Sequence, residues 1–418
     1  MKISRVGYTV LAVAVLLLLA GGSPQAFHSG SVAECAGCHS MHSAPSSGSF
    51  LLVASDPSST CLSCHQGAND TGPSSYHIST ADSALGPGAS PLQRTPGGDF
   101  GYLKKTYFFS LHGTVNEYGR THGHNIVAAD YGYLADPDTS VAPGGTFPSA
   151  QLGCASCHDP HSAIRRLSDG TYARSGSVGF TSPVVSGSGS YGAIPAAGNA
   201  VGAYRLLRGL GDDTQGVTYD GVAIAVAPST YNRTEAVTQT RVAYGASGAN
   251  TWGLWCATCH PGMHSDLGAS NVHPVDQQLG SGIAAIYNAY KMTGDLTGSS
   301  TNAFTSLVPF EENTGDITTL ASHAKIDNSY LNGPSSSDRV TCLSCHRAHA
   351  SAWMDALRWN NEGEFMIYNG LYPGTDNAAS NYARGRLAAE TQAGYYDRPV
   401  TTFATYQRVL CNKCHAKD

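Results

Sequence analysis

Charge is sparse in this chain. Only 13% of its 418 residues are Asp, Glu, Lys or Arg, and the formal net charge is −6. Nothing basic is clustered, which argues against a nucleic-acid partner. Beyond one run near the N-terminus, no apolar stretch is long enough to cross a bilayer, so no transmembrane segment is expected in the mature chain. No phosphate-binding loop is implied: Gly97-Gly98-Asp99 and Pro143-Gly144-Gly145 read as turns. No βαβ pattern is visible. Methionine is scarce, with 6 in all. Cysteine occurs only within one repeated pentapeptide.

That pentapeptide is Cys-x-x-Cys-His. Its six copies use all 12 cysteines: Cys35/Cys38/His39, Cys61/Cys64/His65, Cys154/Cys157/His158, Cys256/Cys259/His260, Cys342/Cys345/His346 and Cys411/Cys414/His415. Paired half-sites for zinc would leave the His after every second Cys unexplained. Disulfides need no His at all, and a redox dithiol appears once rather than six times. The pattern is that of c-type haem attachment. Two thiols add to the two vinyl groups of one porphyrin, and the adjacent His meets the iron. Six sites imply six covalently bound haems. That number suggests electron transport rather than a single reaction.

Residues 1–26 look like a secretory signal. Lys2 and Arg5 give a charged start, an apolar run spans Val10 to Ala20, and small residues follow. Cleavage after Ala26 makes Phe27 the new N-terminus, although Pro24 departs from the usual small residue. Export agrees with where bacterial c-type haem is attached. Residues 27–418 are read as a single hexahaem cytochrome domain. Abundant glycine (48) and sparse charge fit a loop-rich chain that buries its apolar side chains on porphyrin.

Six irons need six further axial ligands. Outside the signal only Met41, Met263, Met292, Met354 and Met366 remain, too few for six. Of 17 His, eleven lie outside the motifs. The count favours two imidazoles on every iron and lower potentials than His/Met ligation gives. Four spare His closely follow a motif: His42, His161, His264 and His349. Each is blocked from the far face of its own haem but can reach the next, tying two irons together; the bland alternative is a contact with a haem propionate. The remaining candidates are His28, His77, His112, His122, His124, His273 and His323. Of these, His28, His77 and His124 are retained, and His112 and His122 are read as surface or propionate contacts.

The first two motifs are close in sequence, which predicts stacked haems. Residues 165–250 read as loops with short strands, one of them Thr238 to Tyr244. Helices are expected from Ile283 to Met292 and from Ser351 to Asn360. Cys35 and His415 place motifs at both ends of the mature chain, where termini usually lie on the surface. A head-to-tail contact could then bring the last haem of one subunit against the first of the next, and such a contact propagates.

Several stretches carry a family resemblance: Phe27-His28-Ser29-Gly30, DTGPSSYHIST from Asp70, TPGGDF from Thr95, GHNIVA from Gly123, CHDPH from Cys157, APSTYNRTEA from Ala227, CLSCHRAHA from Cys342 and CNKCHAKD from Cys411. In order, they span nearly all of the mature chain. With them the sequence resembles the outer-membrane cytochrome S family, hexahaem nanowire subunits of metal-reducing bacteria. The resemblance implies a multihaem cytochrome c: a coil-rich chain with a few short helices and strands, wrapped around a linear array of six haems. It implies that His42 ligates the fifth-motif haem, that of His346, in the next subunit, and that His112 and His122 lie outside the family pattern.

The function expected is extracellular electron transfer by a carrier, not an enzyme. Subunits would polymerise head-to-tail into conductive filaments, secreted or held at the outer cell surface. Partners would be identical subunits, outer-surface or periplasmic redox cytochromes, and extracellular metal oxides or partner cells. A multihaem reductase would need an open iron, often marked by an atypical motif, and all six motifs end in His. A monomeric periplasmic shuttle is separated from the filament mainly by the terminal motifs and His42.

Overall fold

The structure, a computed structural model, describes residues 35–40, 51–72, 75–174, 184–186, 188–268, 272–406 and 410–415. Regular structure is sparse and short. The longest helices are Gly280–Ala289 and Pro57–His65, and the strands run two to four residues. No helix of the described residues is long and apolar enough to cross a membrane.

The expected helix from Ile283 forms three residues early, over Gly280–Ala289, burying Ala284 and Tyr287. The one expected over Ser351–Asn360 does not form. Only a single 3-10 turn, Met354–Ala356, is present there, and Asp355 and Ala356 take left-handed backbone at φ 57° and 56°. The strand expected from Thr238 is confined to Ala243–Gly245. It pairs antiparallel with Ile224–Val226 and parallel with Glu311–Glu312. A second sheet joins Ile164–Leu167 to Tyr172–Arg174 and Ala200–Gly202, with Val184–Ser186 at its edge.

Buried side chains gather along the path of the motifs rather than in one oily centre. One cluster holds Leu62, Tyr287, Leu307, Trp353 and Leu410, with Cys154, Cys345 and Cys414 packed against it. Another holds Tyr204, Tyr244, Trp252 and Leu343, with Cys157 against it. Buried ion pairs tie distant segments together, among them Arg386 to Glu117 and Arg398 to Glu235. Neither charge pays its desolvation alone, because each cation is matched to a buried carboxylate.

Candidate haem array

Each motif is folded as one helical turn. In five of the six the His amide donates to the carbonyl of the first Cys: His39 to Cys35 at 2.8 Å, His158 to Cys154 at 3.0 Å, His260 to Cys256 at 3.1 Å, His346 to Cys342 at 2.9 Å and His415 to Cys411 at 3.2 Å; the second motif ends the helix Pro57–His65. The turn brings both sulfurs and the imidazole to one side, the geometry that a doubly tethered porphyrin needs. Among the described residues no cysteine is in a disulfide.

The motif imidazoles are also oriented for a metal. Nδ1 of His65 lies 2.8 Å from Tyr76 O, that of His158 2.8 Å from Arg205 O, that of His260 2.9 Å from Pro143 O and that of His346 2.7 Å from Asp355 O. A carbonyl only accepts, so each Nδ1 carries the proton and each Nε2 keeps its lone pair for a metal.

Four motif His rings then face a second imidazole. His39 faces His161 with centroids 6.2 Å apart, His158 faces His349 at 6.4 Å, His260 faces His124 at 6.0 Å and His415 faces His273 at 6.2 Å. A metal–imidazole bond is about 2 Å long, so an iron between two rings needs centroids roughly 6 Å apart. The residues present therefore fit a haem iron with an imidazole on each side. Burial holds His349 neutral down to about 3, with His158 adding to the effect. Burial and then His260 bring His124 down to about 4.

The pairing departs from the sequence expectation in one regular way. His161 and His349 do not face the next motif; they face the one two motifs back. A repeat explains this. At the first motif, Leu52 bridges His39, and the Val53 amide donates to Cys38 O at 3.0 Å. At the third, Leu207 bridges His158, and the Arg208 amide donates to Cys157 O at 2.9 Å. At the fifth, Leu357 bridges His346, and the Arg358 amide donates to Cys345 O at 2.8 Å. Left-handed residues precede each return segment: Leu51 at φ 50°, Leu206 at 57° and Ala356 at 56°. The chain is thus three copies of one unit, each with a His-x-x-His motif, a return segment and a second, plain motif. In the second and third units, the His ahead of the first motif (His124, His273) faces the unit's own second motif.

The other expected ligands fall as follows. His264 faces Asp276, with Nε2 2.8 Å from Oδ2, and is buried there; the ring opposite His415 is instead that of His273, which no neighbouring motif marks in sequence. His77 packs on Gly67, where an added Cβ would lie 2.2 Å from its ring, and its Nδ1 is 3.3 Å from Asp70 O. His28 and His42 lie outside the described residues. The surface reading of His122 is overturned: it is fully buried, 2.9 Å from Glu117, with its ring stacked near Tyr102 and Tyr107. His112 is exposed in a turn. His323 meets Glu312 at 2.6 Å.

Glycines give the His349 ring its place. Its amide donates to Gly97 O at 2.8 Å, and its carbonyl accepts from the His124 amide at 2.9 Å. A Cβ at Gly97 would stand 2.8 Å from His349 Nδ1, and one at Gly123 2.2 Å from His349 O. The turn read from Gly97-Gly98 is there, and its purpose is close approach to an imidazole.

The sulfurs mark the order of the sites. Burial and then Cys61 and Cys64 raise the Cys38 thiol. A hydrogen bond between the Cys61 and Cys154 thiols lowers the first and raises the second. Burial pushes Cys259 up to about 12, with Cys157 adding. A hydrogen bond with Cys342 raises the Cys256 thiol. Cys345 is pushed up to about 12 by burial and then by Cys414 and Cys411. Neighbouring sites therefore follow sequence order from first to sixth.

No protein-family model matches the chain. A curated relative, the C-type cytochrome OmcS of Geobacter sulfurreducens, is 47% identical over 441 residues, covering 99% of both chains. The chain belongs to the OmcS family of c-type cytochromes. A cryo-EM structure of OmcS nanowires from that organism superimposes with a TM-score of 0.85 at 48% identity, over 94% of this chain and 100% of that one. A second structure, of the Outer Membrane Cytochrome S filament, gives 0.83 at 47%, with the same coverage. This OmcS-family chain is a coil-rich multihaem cytochrome with covalently attached haem, and as a cytochrome it carries electrons.

Proposed function

We propose that the chain is the subunit of an extracellular filament that conducts electrons through six covalently bound haems, each iron held by two imidazoles. Haem iron supplies reversible one-electron chemistry when bound. The chain's part is to hold the irons close and to leave none open. The four facing pairs support His39/His161, His158/His349, His260/His124 and His415/His273 as ligand sets. By the repeat, His28 stands before the first motif as His124 and His273 stand before theirs, and serves His65.

The single observation that carries the filament is the skip of two motifs. His349 reaches from the third unit to the second, and His161 from the second to the first. His42 is the same residue of the first unit, and two motifs before it lies outside its own chain. In a head-to-tail polymer that position is the fifth site, that of His346, in the neighbouring subunit. Each subunit then completes an iron of the next, and assembly and electronic continuity become one event. OmcS forms nanowires, and the same assembly is proposed here. Residues 1–26 are proposed as the export signal, and 27–418 as one domain. Outer-surface or periplasmic cytochromes, metal oxides and partner cells are the proposed exchange partners.

Electron microscopy of secreted protein tests this. Wild type should form filaments, and His42→Ala should give dispersed subunits that keep their haem. Filaments of unchanged length from His42→Ala would overturn the cross-subunit ligand.

A further inference from the structure

The three units place different charges at equivalent positions. After the first motif His stand Ser40, Asp159 and Arg347. On the return segment stand Val53, Arg208 and Arg358. In the second spacer position of the plain motif stand Ser63, Thr258 and Lys413. The first unit has no charge at these places, the second has one of each sign, and the third has three cations.

The three cations are built in rather than solvated. Arg347, Arg358 and Lys413 are 2%, 2% and 5% exposed. Arg358 donates from Nε to Leu343 O at 2.7 Å and His346 O at 3.1 Å, and from Nη1 to Ser306 O at 3.0 Å. Arg347 donates to Pro96 O at 3.2 Å and lies 3.8 Å over the Tyr396 ring. Lys413 Nζ donates to Tyr287 O and Tyr290 O at 2.8 Å each and to Ala303 O at 3.0 Å, and lies 4.2 Å from the Tyr287 ring centroid. Three acceptors match the three N–H groups of an ammonium; a neutral amine would aim a lone pair at a carbonyl. Two of those carbonyls close the helix Gly280–Ala289, an end that favours a cation. None of the three forms an ion pair with a carboxylate among the described residues. Of the carboxylates near the fifth motif, Asp276 bears on both Cys342 and Cys256 and is bonded to His264 and Thr251, Glu311 lies near Cys342 and accepts from the Trp252 amide at 2.9 Å, and Asp355 lies near His346.

We propose that these three cations make the fifth and sixth haems the high-potential pair of each subunit, so that electrons collect at the C-terminal unit and the filament stores charge in repeated wells. A fixed positive charge in a low-dielectric interior stabilises the reduced iron, which carries one positive charge fewer. A hop into the well oxidises one Fe(II) and reduces one Fe(III), with no other reactant. The proposal rests on the six-haem reading above.

Spectroelectrochemical titration of filaments tests it, with haem content and low-spin count measured first. Loss of low-spin haem in wild type would contradict the ligand reading and not the wells. With six haems present, Lys413→Met should lower the upper end of the redox window, and Lys413→Arg should restore it. An upper end unmoved in Lys413→Met overturns the proposal. Should Lys413→Met shed a haem, Ser40→Arg gives the same test at a more accessible position. It places the charge of Arg347 beside the first motif and should raise one of the lower-potential transitions. Lower-potential transitions that all stay in place overturn the wells equally.

Discussion

His349 lies three residues past His346, yet its ring faces His158 at 6.4 Å, two motifs earlier in the chain. A short peptide thus spans two motifs that are not neighbours in the array. At the motif between them, the fourth, His260 faces His124, whose amide donates to the His349 carbonyl at 2.9 Å. One backbone contact therefore positions the imidazoles that face two adjacent motifs.

Replacing His349 by Ala should open the third iron alone. Resonance Raman or magnetic circular dichroism should report one high-spin haem among six, with the other five unchanged. A high-spin signal assigned to the fourth or fifth iron would reassign the pairing.

His264 and His273 give a contrasting pair. His273→Ala should open the sixth iron. His264→Ala should leave every iron low-spin and instead destabilise the fold by about 1–3 kcal/mol, because Asp276 loses a partner in a buried place. Denaturant melts with parallel spin-state spectra separate the two; a high-spin haem in His264→Ala would restore it as a ligand.

Glu117 supplies a pH test. Its burial raises the carboxyl, but His122 and Arg386 override that and hold it at about 2, below the ordinary 4.5. A depressed carboxyl contributes stability above the unfolded value and loses it as pH falls through the folded one. Wild type should thus lose this contribution between about pH 4.5 and 2. Glu117→Gln should be weaker at neutral pH by about 3 kcal/mol, since Arg386 is left buried without its anion. Its acid-unfolding curve should be flatter over the same interval. Parallel curves for the two proteins would mean that the pair adds nothing.

Gly123→Val should disturb two irons at once. The added side chain meets His349 O and Ala350, the strand contact that positions both His349 and His124. A loss of at least ~2 kcal/mol in stability is expected, with partial high-spin character at the third and fourth sites. Unaltered spectra would show that the close approach is dispensable.

The motifs and the loop-rich fold are legible in sequence because attachment chemistry fixes Cys and His spacing locally. The partner of each imidazole is not, because it is set by contacts between segments far apart in the chain. His264 follows a motif closely and still turns to Asp276, while His273 has no such mark and faces His415. The threefold repeat is hidden by unequal loops: Leu357 returns soon after His346, whereas Leu207 returns to His158 only after a four-stranded sheet has been inserted. The helix expected at 351–360 fails for a related reason. Asp355 and Ala356 turn left-handed, and the Asp355 carbonyl meets His346 Nδ1.

In the proposed filament an iron of each subunit is completed by its neighbour. The direct test is the spin state of the same wild-type protein before and after filaments are dispersed into subunits. Six low-spin haems in the filament should become five low-spin and one high-spin in the separated subunit, and reassembly should reverse the change. Six low-spin haems in the isolated subunit would contradict the account.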